Sequence, residues 1–184
     1  MKNKIMIIGC GGIGSFLIPL LDRVAMYDIT VFDPDIVETK NLTYQNFDLD
    51  DVGVNKAEAL AVSYKFKPQP YKVLTPEQIS GYDLVICCAD NLDVRKMMYK
   101  SEITWLDLRA QGRAGLLVSS DEDPKLYSTL TAGPEGSFSC QGDAWDKSNQ
   151  GVHFTHVAVA GYGAQWVQRH FAGDYTPKHI QVSA

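Results

Sequence analysis

The sequence predicts an α/β fold: a doubly wound, mostly parallel sheet with a C-terminal antiparallel extension. Three observations carry this. A glycine-rich turn, "GCGGIG" at 9–14, follows a short apolar run almost at the first residue. Strand-like and helix-like segments then alternate through the first two thirds of the chain, which is the pattern of βαβ units. After Gly112 the pattern changes to β-rich runs around an acidic turn.

The elements follow in order. Ile5–Ile8 reads as a buried parallel strand, because its apolar residues are continuous rather than alternating. Ser15–Val24 reads as a helix with Phe16, Leu17, Leu20, Leu21 and Val24 on one broad face. Pro19 lies inside it and predicts a late start or a kink, since proline removes a helix donor. "DITVFD" is the second strand and ends at Asp33. Residues 34–50 are polar and irregular. "VGVNKAEALAVSYKF", 52–66, predicts a helix, "PYKVL", 70–74, a weak strand, and "YDLVICCAD", 82–90, a clear one. "NLDVRKMMYK" is a short helix and "ITWLDLR" a strand. "RAGLLVSSDEDPKLYSTLTA" reads as an antiparallel pair turning at Pro124. Residues 133–150 are glycine-rich and polar, the best candidate for a mobile loop. "VHFTHVAVAGYGAQWVQRHF" predicts the last helix, weakened by Gly161 and Gly163.

Length and composition set outer bounds. The 184 residues suit one domain over 1–184 with a sizeable core. A net charge of −5 argues against nucleic acid or an anionic membrane as partner. The four cysteines, Cys10, Cys87, Cys88 and Cys140, form no CxxC pair, so no zinc is expected and a reducing cytoplasm is. No stretch is long enough to span a membrane, and the glycine-broken run after "MKNK" makes a poor signal peptide.

The glycine turn predicts a nucleotide site. Gly9 permits the tight turn, Gly11 lets the backbone approach a phosphate, and Gly14 allows close helix–strand packing. The helix start adds N–H donors and a partial positive charge. Asp33, about 20 residues on, stands where a carboxylate holds a ribose, for NAD and ATP alike; it also suits a turn cap. Asp35 adds a second acid, Asn41 and Gln45 add amides, and Lys56 opens a helix within reach of phosphate. Asp90 ends the fourth strand at the same sheet edge. A dinucleotide needs no carboxylate aimed at its phosphates. Asp90 therefore suggests Mg²⁺, shared with triphosphate oxygens.

Together these motifs resemble the ThiF/MoeB/HesA family, bacterial relatives of ubiquitin-activating enzymes. The resemblance rests on "GCGGIG", "DPDIVETKNLTYQ", "VGVNKAEAL" and "CADN" with Arg95 after it, over about residues 4–115. It implies ATP-dependent adenylation of the C-terminal carboxylate of a small ubiquitin-like or sulfur-carrier protein, in a homodimer. Carried over by position, Gly9, Gly11, Gly12 and Gly14 line the phosphates and Asp33 holds the ribose. Asn41 and Gln45 match the family's loop, Lys56 neutralises phosphate, and Asp90 binds Mg²⁺. Arg95 and Arg109 match arginines that follow these motifs. Cys140 corresponds to a loop cysteine that in some relatives forms a thioester or persulfide; it also reads as a loop cysteine with no role. Tyr44 departs from the pattern, standing where the family has arginine. It keeps one donor and loses the charge, which favours a non-catalytic, partner-binding member as one alternative. A nicotinamide-dependent oxidoreductase is the other. His153 and His156, three apart, suit a packed or surface pair better than a metal pair.

Overall fold

The computed structural model describes residues 2–130, 141 and 152–183. Its strands are β1 (Asn3–Ile8), β2 (Tyr27–Phe32), β3 (Lys67–Gln69), β4 (Leu84–Cys87), β5 (Trp105–Gln111), β6 (Ala114–Ser119) and β7 (His179–Ser183). They form one sheet in the order β3-β2-β1-β4-β5-β6-β7. The first five in that order run parallel, and β6 and β7 each pair antiparallel with the strand before. This is the predicted Rossmann-like sheet with its antiparallel extension.

The sheet has a core on both faces, and β1 shows why. Ile5 and Ile7 point into one cluster with Leu17 and Leu21 of α1 (Gly14–Val24) and Val159 and Trp166 of α6 (Thr155–Ala172). Met6 and Ile8 point into the other, with Val94 and Met98 of α4 (Leu92–Tyr99). Alternate side chains of a strand must face opposite ways, so a strand buried on both faces has no polar position to offer.

Several elements differ from expectation. The helix predicted over 52–66 is shorter: α2 is Lys56–Ala61. Gly53 has φ of 91° and breaks the run before it. Asn55 then caps the helix, its Oδ1 accepting from the N–H groups of Ala57 and Glu58. The weak strand predicted at 70–74 lies earlier, at β3, where Pro68 is tolerated because β3 is an edge. A short helix unforeseen in sequence, α3 (Pro76–Ile79), follows Thr75. The second half of the predicted antiparallel pair is a helix, α5 (Pro124–Leu130). Asp123 accepts from Lys125 N–H at 2.7 Å, and proline suits the first helical turn. The partner of β6 is instead β7, from the C-terminal segment.

Pro19 neither delays nor ends α1, which runs from Gly14 through it. A proline at 19 leaves the carbonyl of residue 15 without its helical donor. Asn46 replaces that donor from outside, its Nδ2 meeting the Ser15 carbonyl at 3.2 Å. Its backbone N–H also donates to Ser15 Oγ at 3.0 Å. The proline thereby tethers the loop after β2 to the helix that follows the glycine turn. Gly163 has a packing reason too: a Cβ there would stand 2.8 Å from Leu108 Cδ1, so glycine lets α6 lie close on β5.

Candidate functional site

The glycine turn joins β1 to α1 at the carboxyl edge of the parallel strands. Gly9 has φ of 93°, and its N–H donates to the Phe32 carbonyl at 2.8 Å. A Cβ on Gly9 would stand 2.8 Å from Ala89 N, so the turn is wedged against the end of β4. A Cβ on Gly14 would overlap the Gly9 carbonyl oxygen. Gly11 is different. Its Cβ would meet nothing nearer than Gln45 Nε2, at 3.7 Å. Protein packing therefore explains glycine at 9 and 14, and leaves the bare backbone at 11 open to a ligand.

Asp33 fastens this turn. It is 5% exposed, and its Oδ2 accepts from Cys10 N–H at 2.7 Å while Oδ1 accepts from Asp35 N–H at 2.9 Å. Burial raises its carboxyl above the ordinary range, opposed by those two N–H bonds and by the Lys56 ammonium. Each oxygen has a further lone pair, so the carboxylate can brace the turn and still accept from a hydroxyl. Asp33→Ala is expected to lose ATP affinity and to cost about 1–3 kcal/mol of stability, because Cys10 N–H becomes a buried orphan. Denaturant melts and ATP titrations of the variant check both parts.

Lys56 lies beside it. Its Nζ reaches Asp35 Oδ2 at 3.5 Å, a long contact between an ammonium side chain 10% exposed and a carboxylate side chain 67% exposed. Asn55 locks the arrangement from below, with Nδ2 donating to the carbonyls of Asp33 and Asp35 at 2.9 and 3.0 Å. Lys56 N–H donates to the Asp35 carbonyl at 2.9 Å. A buried ammonium whose hydrogen-bond partner, among the described residues, is one distant, solvated carboxylate is poised for a second anion.

The loop between β2 and α2 closes the other side. Asn41 is buried, and its Oδ1 accepts from Glu38 N–H at 2.9 Å inside a 3-10 turn over Thr39–Thr43. That bond is internal to the loop and holds the Asn41 side chain in place, with the amide nitrogen as its donor. Gln45 is buried over Gly11, and among the described residues its Oε1 has no hydrogen-bond partner. Asp90 is exposed just past Ala89, the residue against Gly9. Among the described residues no group of three or more His, Cys, Asp or Glu is close enough to hold a metal alone. A single carboxylate fits Mg²⁺, which takes one or two protein carboxylates and fills its remaining positions with phosphate oxygens and water.

Arg95 and Arg109 gather elsewhere, on Asp107 of β5. Arg95 Nε donates to Asp107 Oδ1 at 3.0 Å and Arg109 Nε to Oδ2 at 2.8 Å. Tyr99 OH donates to the same Oδ2 at 2.8 Å, and Arg109 Nη2 reaches the hydroxyls of Tyr99 and Tyr127. Asp107, Tyr99 and Tyr127 are absent from the sequence reading. Asp107 was detectable, since Asp and Arg two apart on an apolar strand share one face. Cys140 lies outside the described residues. Cys10 and Cys87 are buried and Cys88 partly so; burial pushes the Cys87 thiol up to about 11 and the other two upward as well. Among the described residues no helix is long and apolar enough to cross a membrane.

The ThiF family model matches residues 1–162. Over 108 residues the chain is 32% identical to the adenylyltransferase and sulfurtransferase UBA4 of Yarrowia lipolytica, covering 53% of this chain and 27% of that protein. Over 109 residues it is 28% identical to the SAMP-activating enzyme E1 of Haloferax volcanii, covering 53% of this chain and 40% of that one. The crystal structure of E. coli MccB aligns with a TM-score of 0.73 at 19% identity, over 99% of this chain and 59% of that chain. At that identity the likeness shows the fold. The chain thus spans under half the length of these two sequence relatives and about three fifths of MccB.

Proposed function

The chain belongs to the ThiF family, and on that premise we propose that it adenylates the C-terminal carboxylate of a small ubiquitin-like or sulfur-carrier protein, consuming ATP and releasing pyrophosphate. The observation that carries this is the node of glycine turn, Asp33 and Lys56. A turn left open at Gly11, a buried ribose-type acceptor and an under-partnered buried ammonium meet at one sheet edge. Relatives named as adenylyltransferases and activating enzymes support the reaction class.

The chemistry then follows from charge. An oxygen of the acceptor's carboxylate forms a bond to the α-phosphorus, and the bond from that phosphorus to the bridging oxygen breaks. Pyrophosphate leaves with the electron pair. The carboxylate is already ionised at neutral pH, so no general base is required. Two anions must approach, and the protein's task is positioning and charge compensation. Backbone N–H groups of residues 11–13, at the start of α1, face the phosphates. Asp33 holds the ribose, Lys56 offsets phosphate charge, and Gln45, whose Nε2 lies over Gly11, supplies an amide donor. Asp90 would hold Mg²⁺, which screens the triphosphate when bound. In this reading the working unit is a cytoplasmic homodimer.

ATP–pyrophosphate exchange with small diglycine-ended acceptor proteins tests the proposal. Exchange that depends on the acceptor is the expected result. Thermal stabilisation by NAD⁺ and none by ATP with Mg²⁺ would point to a nicotinamide enzyme instead. A non-catalytic, partner-binding member is favoured by two observations: Tyr44 carries no charge, and the Nε atoms of Arg95 and Arg109 are directed to Asp107. Acceptor binding without exchange would select that reading.

Cys140→Ala is expected to keep pyrophosphate exchange and to lose any thiol-sensitive acyl adduct. No thiol takes part in attack on phosphorus, whereas an acyl-adenylate is open to a thiolate. Cys10, Cys87 and Cys88 serve as controls, since burial keeps them protonated. Equal adducts in wild type and Cys140→Ala on non-reducing gels would remove Cys140 from the pathway.

A further inference from the structure

His156, in the first turn of α6, is 0% exposed, and among the described residues neither ring nitrogen has a hydrogen-bond partner. A buried polar group left unpaired is unfavourable, and a phenylalanine would fill the same space without that penalty. The surroundings suggest what the ring is for. Phe16 of α1 lies at a centroid distance of 5.6 Å, Tyr44 lies perpendicular at 6.4 Å, and Phe154 is stacked at 6.3 Å. The backbone carbonyls of Tyr44 and His153 also approach the ring, but neither completes a hydrogen bond.

A neutral imidazole has one N–H to offer, whereas an imidazolium has two. Carbonyl oxygens and an aromatic face both favour the cation. Burial opposes it and holds the ring below its ordinary proton affinity. Tyr44 and His153 are the titratable residues that meet the ring, both through backbone carbonyls. Phe16 and Phe154, from the other segments packed on it, do not titrate, and among the described residues no charged side chain meets the ring. An anion arriving nearby would tip this balance. The glycine turn is nearby: Phe16 is in the first turn of the helix that the turn opens, and Gln45, next to Tyr44, lies over Gly11.

We infer that nucleotide binding at the glycine turn is coupled to uptake of one proton from solvent by His156, whose imidazolium then bridges Tyr44 to His153 and supplies the positive charge that the Tyr44 phenol lacks. This rests on the ATP reading of the site. His156 is a positioning residue here, acting through the loop that carries Tyr44 and Gln45.

The test is calorimetric titration of ATP with Mg²⁺ into the full chain, in phosphate and in Tris at pH 7, for wild type, His156→Gln and His156→Phe. The dependence of the heat on buffer gives the protons taken up, and subtracting the variants removes the nucleotide's own protonation. Wild type is expected to take up more protons than either variant, by as much as one. Its ATP affinity is expected to weaken with rising pH by up to about tenfold per unit where one proton is exchanged, and His156→Gln to flatten that slope. His156→Phe, matched in shape, is expected to melt higher while binding ATP more weakly, which a merely structural ring would not produce. Equal uptake in wild type and in either folded variant overturns the inference and leaves the proposed function standing. Absence of any ATP binding by wild type overturns both.

Discussion

Gly11→Ala is expected to fold like the wild type and to lose ATP binding, while Gly14→Ala is expected to lose the turn itself. The two substitutions add the same methyl group to the same loop. At Gly11 the nearest neighbour of the new Cβ is a side-chain amide at 3.7 Å, an ordinary contact. At Gly14 the Cβ would overlap the Gly9 carbonyl oxygen and stand 2.9 Å from the Gly9 carbonyl carbon. That obstacle is backbone and cannot rotate away. Overpacking of a core side chain typically costs about 1–3 kcal/mol; a backbone overlap at the hinge of β1 and α1 is expected to reach or exceed the top of that range. Denaturant melts separate the two variants, and ATP titration of the folded Gly11→Ala protein completes the comparison. If Gly11→Ala binds ATP like the wild type, the open face of the turn does not receive the nucleotide.

Lys56→Met is expected to reduce pyrophosphate exchange by about 10²–10³, the usual effect of removing one preorganised stabilising group, with stability unchanged or raised. The asymmetry comes from the surroundings of Lys56. Its ammonium is buried and reaches one carboxylate at 3.5 Å. Removing it relieves the desolvation of a charge, and the partner left behind, Asp35, remains in water. A structural salt bridge would behave oppositely, losing stability on substitution. Exchange rates normalised to the folded fraction check this. Normal activity per folded molecule together with a lowered melting temperature would make Lys56 a structural residue.

The legible part of the site was the part encoded by contiguous residues. The glycine turn, Asp33 at the end of a strand and Lys56 at the start of a helix each sit beside a recognisable boundary. Their convergence follows because parallel strands bring all their carboxyl ends to one edge. Side chains that act across the chain were not legible. Asn46 stands in for the donor that Pro19 lacks, at a separation that no local pattern marks. Asp107 draws Arg95 from α4 and Arg109 from its own strand, so two arginines matched through the family resemblance turn out to share one buried acid. His156 was read with His153 as a pair on one helix, yet it packs on Phe16 and Tyr44 from two other segments.

By itself the sequence determined the parallel order of the central strands, the glycine turn and the family. Apolar periodicity, glycine spacing and strand-end acids are local properties, and each follows from backbone sterics or from burial on both faces of a strand. Tertiary structure alone decided which segment pairs with β6. "DEDPKLYSTL" and "HIQVS" both have apolar residues to bury, but the first also has an aspartate cap and a proline at its first turn, and folds as a helix. The open edge of β6 then takes the C-terminal strand, because the backbone donors and acceptors along a strand pair with whichever extended segment the fold delivers to that edge.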